Sequence, residues 1–202
     1  MNVSTTASTP VWRASLMLAL VTLLGFGLLY SLAGTGLGAM LFPHQASGSL
    51  IERGGKVIGS SLVAQPFADD RYFQSRPSAA GYDVMALAGS NQARTNPDLR
   101  SRIDEARIAV ATREGVAPDA VPGDLVTQSG GGIDPHLSLA AIQTQVARVA
   151  RVRGLPVGEI ERLVAEHTEA PQFGLLGAPR INVLELNLAL DAQARRAVQR
   201  AQ

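Results

Sequence analysis

From Ala14 to Ile51 the chain carries no Asp, Glu, Lys or Arg, and its first part reads ASLMLALVTLLGFGLLYSLA. That run of about 20 mostly apolar residues spans a hydrocarbon core of roughly 30 Å when helical. Beyond Ile51 the sequence is charged, periodic and punctuated by Gly and Pro, as in a water-soluble domain. The pattern predicts one membrane-spanning helix followed by one soluble domain. Two other readings stay open at this point: a cleaved signal peptide, for which Ser31-Leu32-Ala33 has the small-x-small form, and a buried core helix. Trp12 and Tyr30 stand near the two ends of the run, where amphipathic rings settle at membrane interfaces.

Arg13 and the N-terminal amine precede the run, and no Lys or Arg follows until Arg53. The positive-inside rule then places the N-terminus in the cytoplasm and the domain outside it. The expected organisation is a cytoplasmic tail (1–11), a span (12–34), a juxtamembrane linker (35–48), an extracytoplasmic domain (49–191) and a polar C-terminal tail (192–202). About 150 residues are enough for one domain with its own core. The chain has no cysteine, so no disulfide framework is available. A net charge of +1 gives no electrostatic footprint for nucleic acid. Aromatic residues make up only 4%, which argues against a ring-lined cleft.

In the domain, Arg53-Gly54-Gly55-Lys56 between two apolar runs predicts a β-hairpin. Residues 67–96 lack helical periodicity and form a long loop, with Tyr72, Phe73 and Tyr82 expected to pack it down. Asn96 and Pro97 open a helix with an apolar stripe of Leu99, Ile103, Ala106 and Val110, stopped by Gly115 and Pro118. Val121 to Thr127 reads as a short strand. A second helix follows Ser138, with Ile142, Val146, Val149 and Val152 on one face, and a third starts at Pro156 with Ile160, Leu163, Val164 and His167 down one side. Residues 183–190 alternate Leu as a strand would, yet Leu, Glu and Ala favour helix and Asn182 with Glu185 forms an N-cap pair. Helix is the expectation there, and the fold class is a mixed α/β or α+β layer.

Ser129, Asp134 and His136 have the residue types of a hydrolase triad, but three members within one loop rarely reach triad geometry. The serine also lacks the glycine two places before it that a nucleophile elbow needs. Gly130-Gly131-Gly132 has the composition of an anion cradle without the Lys-Ser/Thr of a P-loop. His44, His136 and His167 are scattered, with no metal-ligand spacing. Gly25, Gly27 and Gly34 would let a partner helix approach the span closely.

Several short motifs stand in a specific order: Gly59-Ser60-Ser61-Leu62-Val63-Ala64-Gln65; Tyr72-Phe73-Gln74-Ser75-Arg76-Pro77-Ser78-Ala79; Thr95-Asn96-Pro97-Asp98-Leu99; Val121-Pro122-Gly123-Asp124-Leu125-Val126-Thr127; Ser129 through Ser138; and Leu176 through Leu190, which includes Asn182, Glu185 and Asn187. With the span before them, they resemble the C subunit family of the bacterial Kdp potassium-transporting P-type ATPase over nearly the whole chain. The family pattern is richer in glycine before Thr95 and commonly charged where Ala178 stands.

The resemblance implies a complex in the bacterial inner membrane: a channel-like potassium-selective subunit, a P-type ATPase subunit, a small single-span subunit and an accessory chain of this kind. ATP and potassium would be handled by the partner subunits, with no cofactor or metal bound directly here. The accessory chain would support assembly and high-affinity uptake, and an effect on ATP affinity from an outer-face domain would be indirect. Two other classes, an anchored extracytoplasmic hydrolase and a stand-alone binding module, remain open on the residues alone.

Overall fold

A computed structural model describes residues 11–200. The expected cytoplasmic tail lies outside these but for Val11, as do the last two residues of the polar tail. The chain divides into two units, one ending at Ser49 and the other beginning at Leu50.

The first unit is a continuous helix, Val11–Leu41. It comprises α1 (Val11–Val21), a π-helical stretch (Thr22–Tyr30) and α2 (Ser31–Leu41). At about 1.5 Å per residue it is longer than the hydrocarbon core is thick. Its own unit buries none of its apolar window. Phe42 breaks the helix at φ −134°, and Pro43 opens the short α3 (Pro43–Ala46). Among the described residues no heavy atom lies within 4 Å of a Cβ built at Gly25 or Gly34, while one at Gly27 would meet only its own helix.

The second unit opens with the predicted hairpin, β1 (Leu50–Arg53) against β2 (Lys56–Ser60). Its turn residues Gly54 and Gly55 both have positive φ, +60° and +75°, as a two-residue turn matched to the strand twist demands. No helix or strand then forms until α4 (Pro97–Glu114). Asn96 caps it, its Oδ1 accepting the Asp98 N–H at 2.8 Å, and Gly115 ends it in the left-handed conformation.

The strand expected over Val121–Thr127 is not there. Pro122 and Gly123 interrupt the β pattern, and Gly123–Leu125 makes a 3-10 turn that drives Leu125 and Val126 into the core. Two further elements follow: β3 (His136–Ser138), then α5 (Leu139–Arg153), capped by Ser138 Oγ on the Ala141 N–H. Next come α6 (Val157–Glu166), β4 (Thr168–Glu169), β5 (Arg180–Asn182) and α7 (Val183–Arg200). β5 lies between β3 and β4 in an antiparallel sheet. Residues 183–190 are helical: Val183, Leu186, Asn187 and Leu190 are buried at helical spacing. The helix continues into the stretch expected as a polar tail.

The core joins Phe73, Ile142, Val149, Ile160, Ile181, Leu186 and Leu190, so helices, sheet and long loop all contribute to it. Short antiparallel strands with helices packed beside them make the domain a mixed helix-and-sheet fold, nearer α+β than α/β.

Candidate functional site

The loop between β2 and α4 has no ladder of its own, yet its backbone is held as firmly as a strand. Asn187 on α7 grips Phe73 from both sides: the Phe73 N–H donates to Asn187 Oδ1 and Asn187 Nδ2 donates to the Phe73 carbonyl, each at 2.9 Å. Gln145 on α5 does the same one residue on, accepting the Gln74 N–H at 2.7 Å and donating to its carbonyl at 3.3 Å. Two carboxamides thus stand in for a neighbouring strand, and the backbone polar groups of Phe73 and Gln74 are satisfied.

Arg148, fully buried on α5, extends the clamp. Its Nε pairs with Glu114 Oε2 at 2.8 Å, one terminal nitrogen bonds Gln145 Oε1 at 3.0 Å, and the other donates to the carbonyls of Asp70 and Tyr72. Arg113 closes the remaining Glu114 oxygen at 2.7 Å. Toward the surface the Tyr72 hydroxyl donates to Asp191 at 3.0 Å, and Arg153 pairs with the same carboxylate while lying over the Tyr72 ring. Burial, with the Asp191 bond behind it, pushes the Tyr72 hydroxyl above its ordinary pKa.

The second half of the loop folds onto residues 127–134. Arg76 donates to the Thr127 carbonyl at 3.1 Å and lies 3.6 Å from Asp134 Oδ2. Ser78 bonds the Gly132 carbonyl, and the Tyr82 hydroxyl bonds that of Arg76 at 2.9 Å. The two segments touch so closely that a Cβ at Gly89 would sit 2.6 Å from the Gly130 carbonyl oxygen. The Gly130 backbone here abuts the long loop. The Gly132 N–H is already taken by Ser129, which counts against an anion cradle.

The hydrolase residues are gathered but not in relay. Ser129 is buried and its Oγ accepts the N–H groups of Gly132 and Asp134, at 3.1 and 3.3 Å. His136 turns Nδ1 toward Asp134 Oδ1 at 3.4 Å and Nε2 toward Glu169 Oε1 at 3.9 Å. The ring nitrogens face carboxylates and the serine faces backbone amides, so Ser129 functions as a turn brace. Hydrogen bonding to His136, helped by the charges of His136 and Arg76 and opposed by burial, holds the Asp134 carboxyl below its ordinary 3.8. Among the described residues no cluster of three His, Asp or Glu has metal-binding geometry.

Arg76, Asp134 and His136 border a shallow groove of about 460 Å³ with Ala178, Pro179 and Arg180. Asn182, opposite His136 in the β3–β5 pair, is a helix cap: its Oδ1 accepts the Glu185 N–H at 3.2 Å and its Nδ2 donates to the Ser61 carbonyl at 2.7 Å. The candidates therefore separate into an interior clamp (Tyr72, Phe73, Asn187), a groove wall (Arg76, Asp134, His136), the turn before it (Ser129, Gly130) and a cap (Asn182, Glu185). Gly25, Gly27 and Gly34 belong to the other unit. Sequence reasoning missed Glu114, Gln145, Arg148, Arg153 and Asp191. The available signal was two polar residues, Gln145 and Arg148, standing on the same helical stripe as Ile142, Val146 and Val149.

A family model described as "KdpC: K+-transporting ATPase, c chain" matches residues 12–192. A protein of Xanthomonas oryzae pv. oryzae (strain MAFF 311018) named "Potassium-transporting ATPase KdpC subunit" is 63% identical over 179 residues, 89% of this chain and 86% of its own length. Proteins of the same name are 50% identical in Methylococcus capsulatus, covering 90% of this chain and 97% of theirs, and 48% in Shewanella putrefaciens, covering 92% and 91%.

Proposed function

The chain belongs to the KdpC family, the c chain of the K+-transporting ATPase, and on that premise we propose a non-catalytic, outer-face role for it within the complex. It is an accessory subunit of a potassium-transporting P-type ATPase, anchored by the helix Val11–Leu41. Its domain docks on the channel-like subunit and stabilises that subunit's assembly with the ATPase subunit and the small single-span subunit. The observation that carries this reading is the extent of the family match, which takes in the span as well as the domain.

The charge pattern around the helix supports the orientation: Arg13 before it, no further basic residue until Arg53. A domain outside the cytoplasm does not meet ATP. Any influence on the nucleotide affinity of the ATPase subunit then works by favouring one conformation of the pump. The open glycine positions at Gly25 and Gly34 suit close packing against a partner helix.

Labelling of intact bacteria with a membrane-impermeant thiol reagent tests the orientation. The chain has no cysteine, and Met85 is 90% exposed, so Met85→Cys is a clean probe with Ser4→Cys as its N-terminal counterpart. Label at 85 and none at 4 is expected. The reverse pattern would move the domain into the cytoplasm and revive direct nucleotide contact. Deleting the chain should abolish growth at limiting potassium; unimpaired growth would remove the accessory role.

A further inference from the structure

β5 lies between β3 and β4, and the His136 side chain reaches across it. His136 stands opposite Asn182 in the β3–β5 pair, and Glu169 stands opposite Arg180 in the β4–β5 pair. Residues 180 and 182 share a face of β5, so His136 and Glu169 project from the same side of the sheet. The imidazole is held between two carboxylates, with Nδ1 3.4 Å from Asp134 Oδ1 and Nε2 3.9 Å from Glu169 Oε1. Asp134 Oδ1 also accepts the His136 backbone N–H at 3.0 Å, which fixes that carboxylate beside the ring.

Charged groups from the neighbouring elements surround this contact. On the long loop Arg76 lies 3.6 Å from Asp134 Oδ2, and on β5 Arg180 pairs with Glu169 Oε2 at 2.8 Å. Asp124, from the 3-10 turn, borders the same groove and accepts the Ser138 N–H at 2.8 Å. Among the described residues three carboxylates thus face two guanidinium groups, and a cation at His136 cancels the surplus negative charge. A neutral imidazole has one N–H and one lone pair. It donates toward Asp134 or toward Glu169, and its other nitrogen then turns a lone pair at a carboxylate oxygen. The protonated ring donates both ways at once.

We propose that His136 is a proton-operated staple: with its proton it ties β3 to β4 across β5, from Asp134 to Glu169, and without it β4 is released. β4 is 2 residues long and pairs with β5 only through Thr168–Ile181 and Glu169–Arg180, so a side-chain tie is a large share of what holds it. The folded chain holds a proton that the unfolded chain gives up. The staple is therefore present at mildly acid pH and is lost as pH rises through the histidine range, ordinarily centred near about 6.5. Hydrogen bonding to His136 holds the Asp134 carboxyl below its ordinary 3.8, so that end of the staple stays charged throughout. The device works the same way on either side of the membrane.

Amide hydrogen exchange of the full chain in detergent, each rate divided into its intrinsic rate, tests the staple. As pH falls from about 7.5 to about 5.5, protection of the β4 and β5 amides should rise about threefold while that of the α4 amides stays level. His136→Gln, which keeps a donor but carries no charge, should hold β4 and β5 protection level over that range, and so should Glu169→Gln. His167 lies one residue before β4, its Nδ1 bonded to the Leu163 carbonyl at 2.9 Å, so His167→Gln is the control and should keep the rise. An equal rise in the His136→Gln chain, a rise abolished by His167→Gln, or no rise in the unmodified chain would overturn the proposal. The unmodified chain gives a second reading should a variant fail to fold. In about 1 M salt, where the screening length is about 3 Å, the rise should shrink to about half or less; an undiminished rise would overturn an ionic staple.

Discussion

Arg148 and Glu114 meet in the interior, each side chain at most 1% exposed, and every atom of the pair that can bond has somewhere to do so. Such a pair adds little over a well-packed apolar substitute, but removing Arg148 leaves the buried Glu114 with Arg113 as its one cation and takes the donor from the Asp70 and Tyr72 carbonyls. Arg148→Met should therefore destabilise the chain by about 3–5 kcal/mol, and adding Glu114→Gln should restore part of it; thermal unfolding of the purified chain in detergent measures both. Asp134 gives the residue scale its pH dependence. Its carboxyl is held below 3.8 in the folded chain, so its stabilising contribution is present at higher pH and is lost as pH falls through that lowered value. Because Asp134 is 40% exposed and screened, Asp134→Asn should change neutral stability by less than about 1 kcal/mol and flatten the acid side of a stability curve below about pH 4. The Asp134–His136 contact was legible in the sequence because the two residues are near neighbours. The Arg148–Glu114 pair was not, since its partners are 34 residues apart and each reads as a solvated charge.

At the scale of elements, the helices declared themselves through their ends. Asn96 with Pro97 and Gly115 bracket α4, and Ser138 and Gly154 bracket α5. Asn96→Ala and Ser138→Ala should each cost about 1 kcal/mol. The two caps share no hydrogen-bond partner, so the double variant should show the sum to within about 0.5 kcal/mol by chemical denaturation. The hairpin was equally plain, because Gly54-Gly55 supplies the turn locally. β3, β4 and β5 carry no such mark. Strands of two or three residues show no alternation, and their pairing, Leu137 with Ile181 for example, joins distant parts of the chain. The 3-10 turn at Gly123–Leu125 misled in the opposite direction, because its apolar residues are β-formers that reach the core without a strand.

For the whole molecule, the division into an apolar helix and a soluble domain was written in charge distribution alone. The candidate site was only half written there: residue types gathered by sequence proximity were found, while the clamp across α4, α5 and α7 was hidden. If the outer-face role is right, replacing residues 1–41 by a cleavable export signal should release the domain from membranes lacking the channel-like subunit and leave a fraction bound where that subunit is present. Fractionation of the two strains reads this directly; equal release from both would count against docking by the domain itself.

The carboxamide clamp on the long loop also sets an order of events during synthesis. Phe73 emerges 114 residues before Asn187, the side chain that satisfies its backbone. At roughly 5–20 residues per second the ribosome takes on the order of ten seconds to cover that interval. Throughout it Tyr72 and Phe73 have no α7 to bond to. The Phe73–Gln74 segment therefore cannot complete its hydrogen bonds until α7 has been made. Its Phe73 and Gln74 amide protons should exchange with solvent on the timescale of the α5 helix, although no ladder of secondary structure holds them.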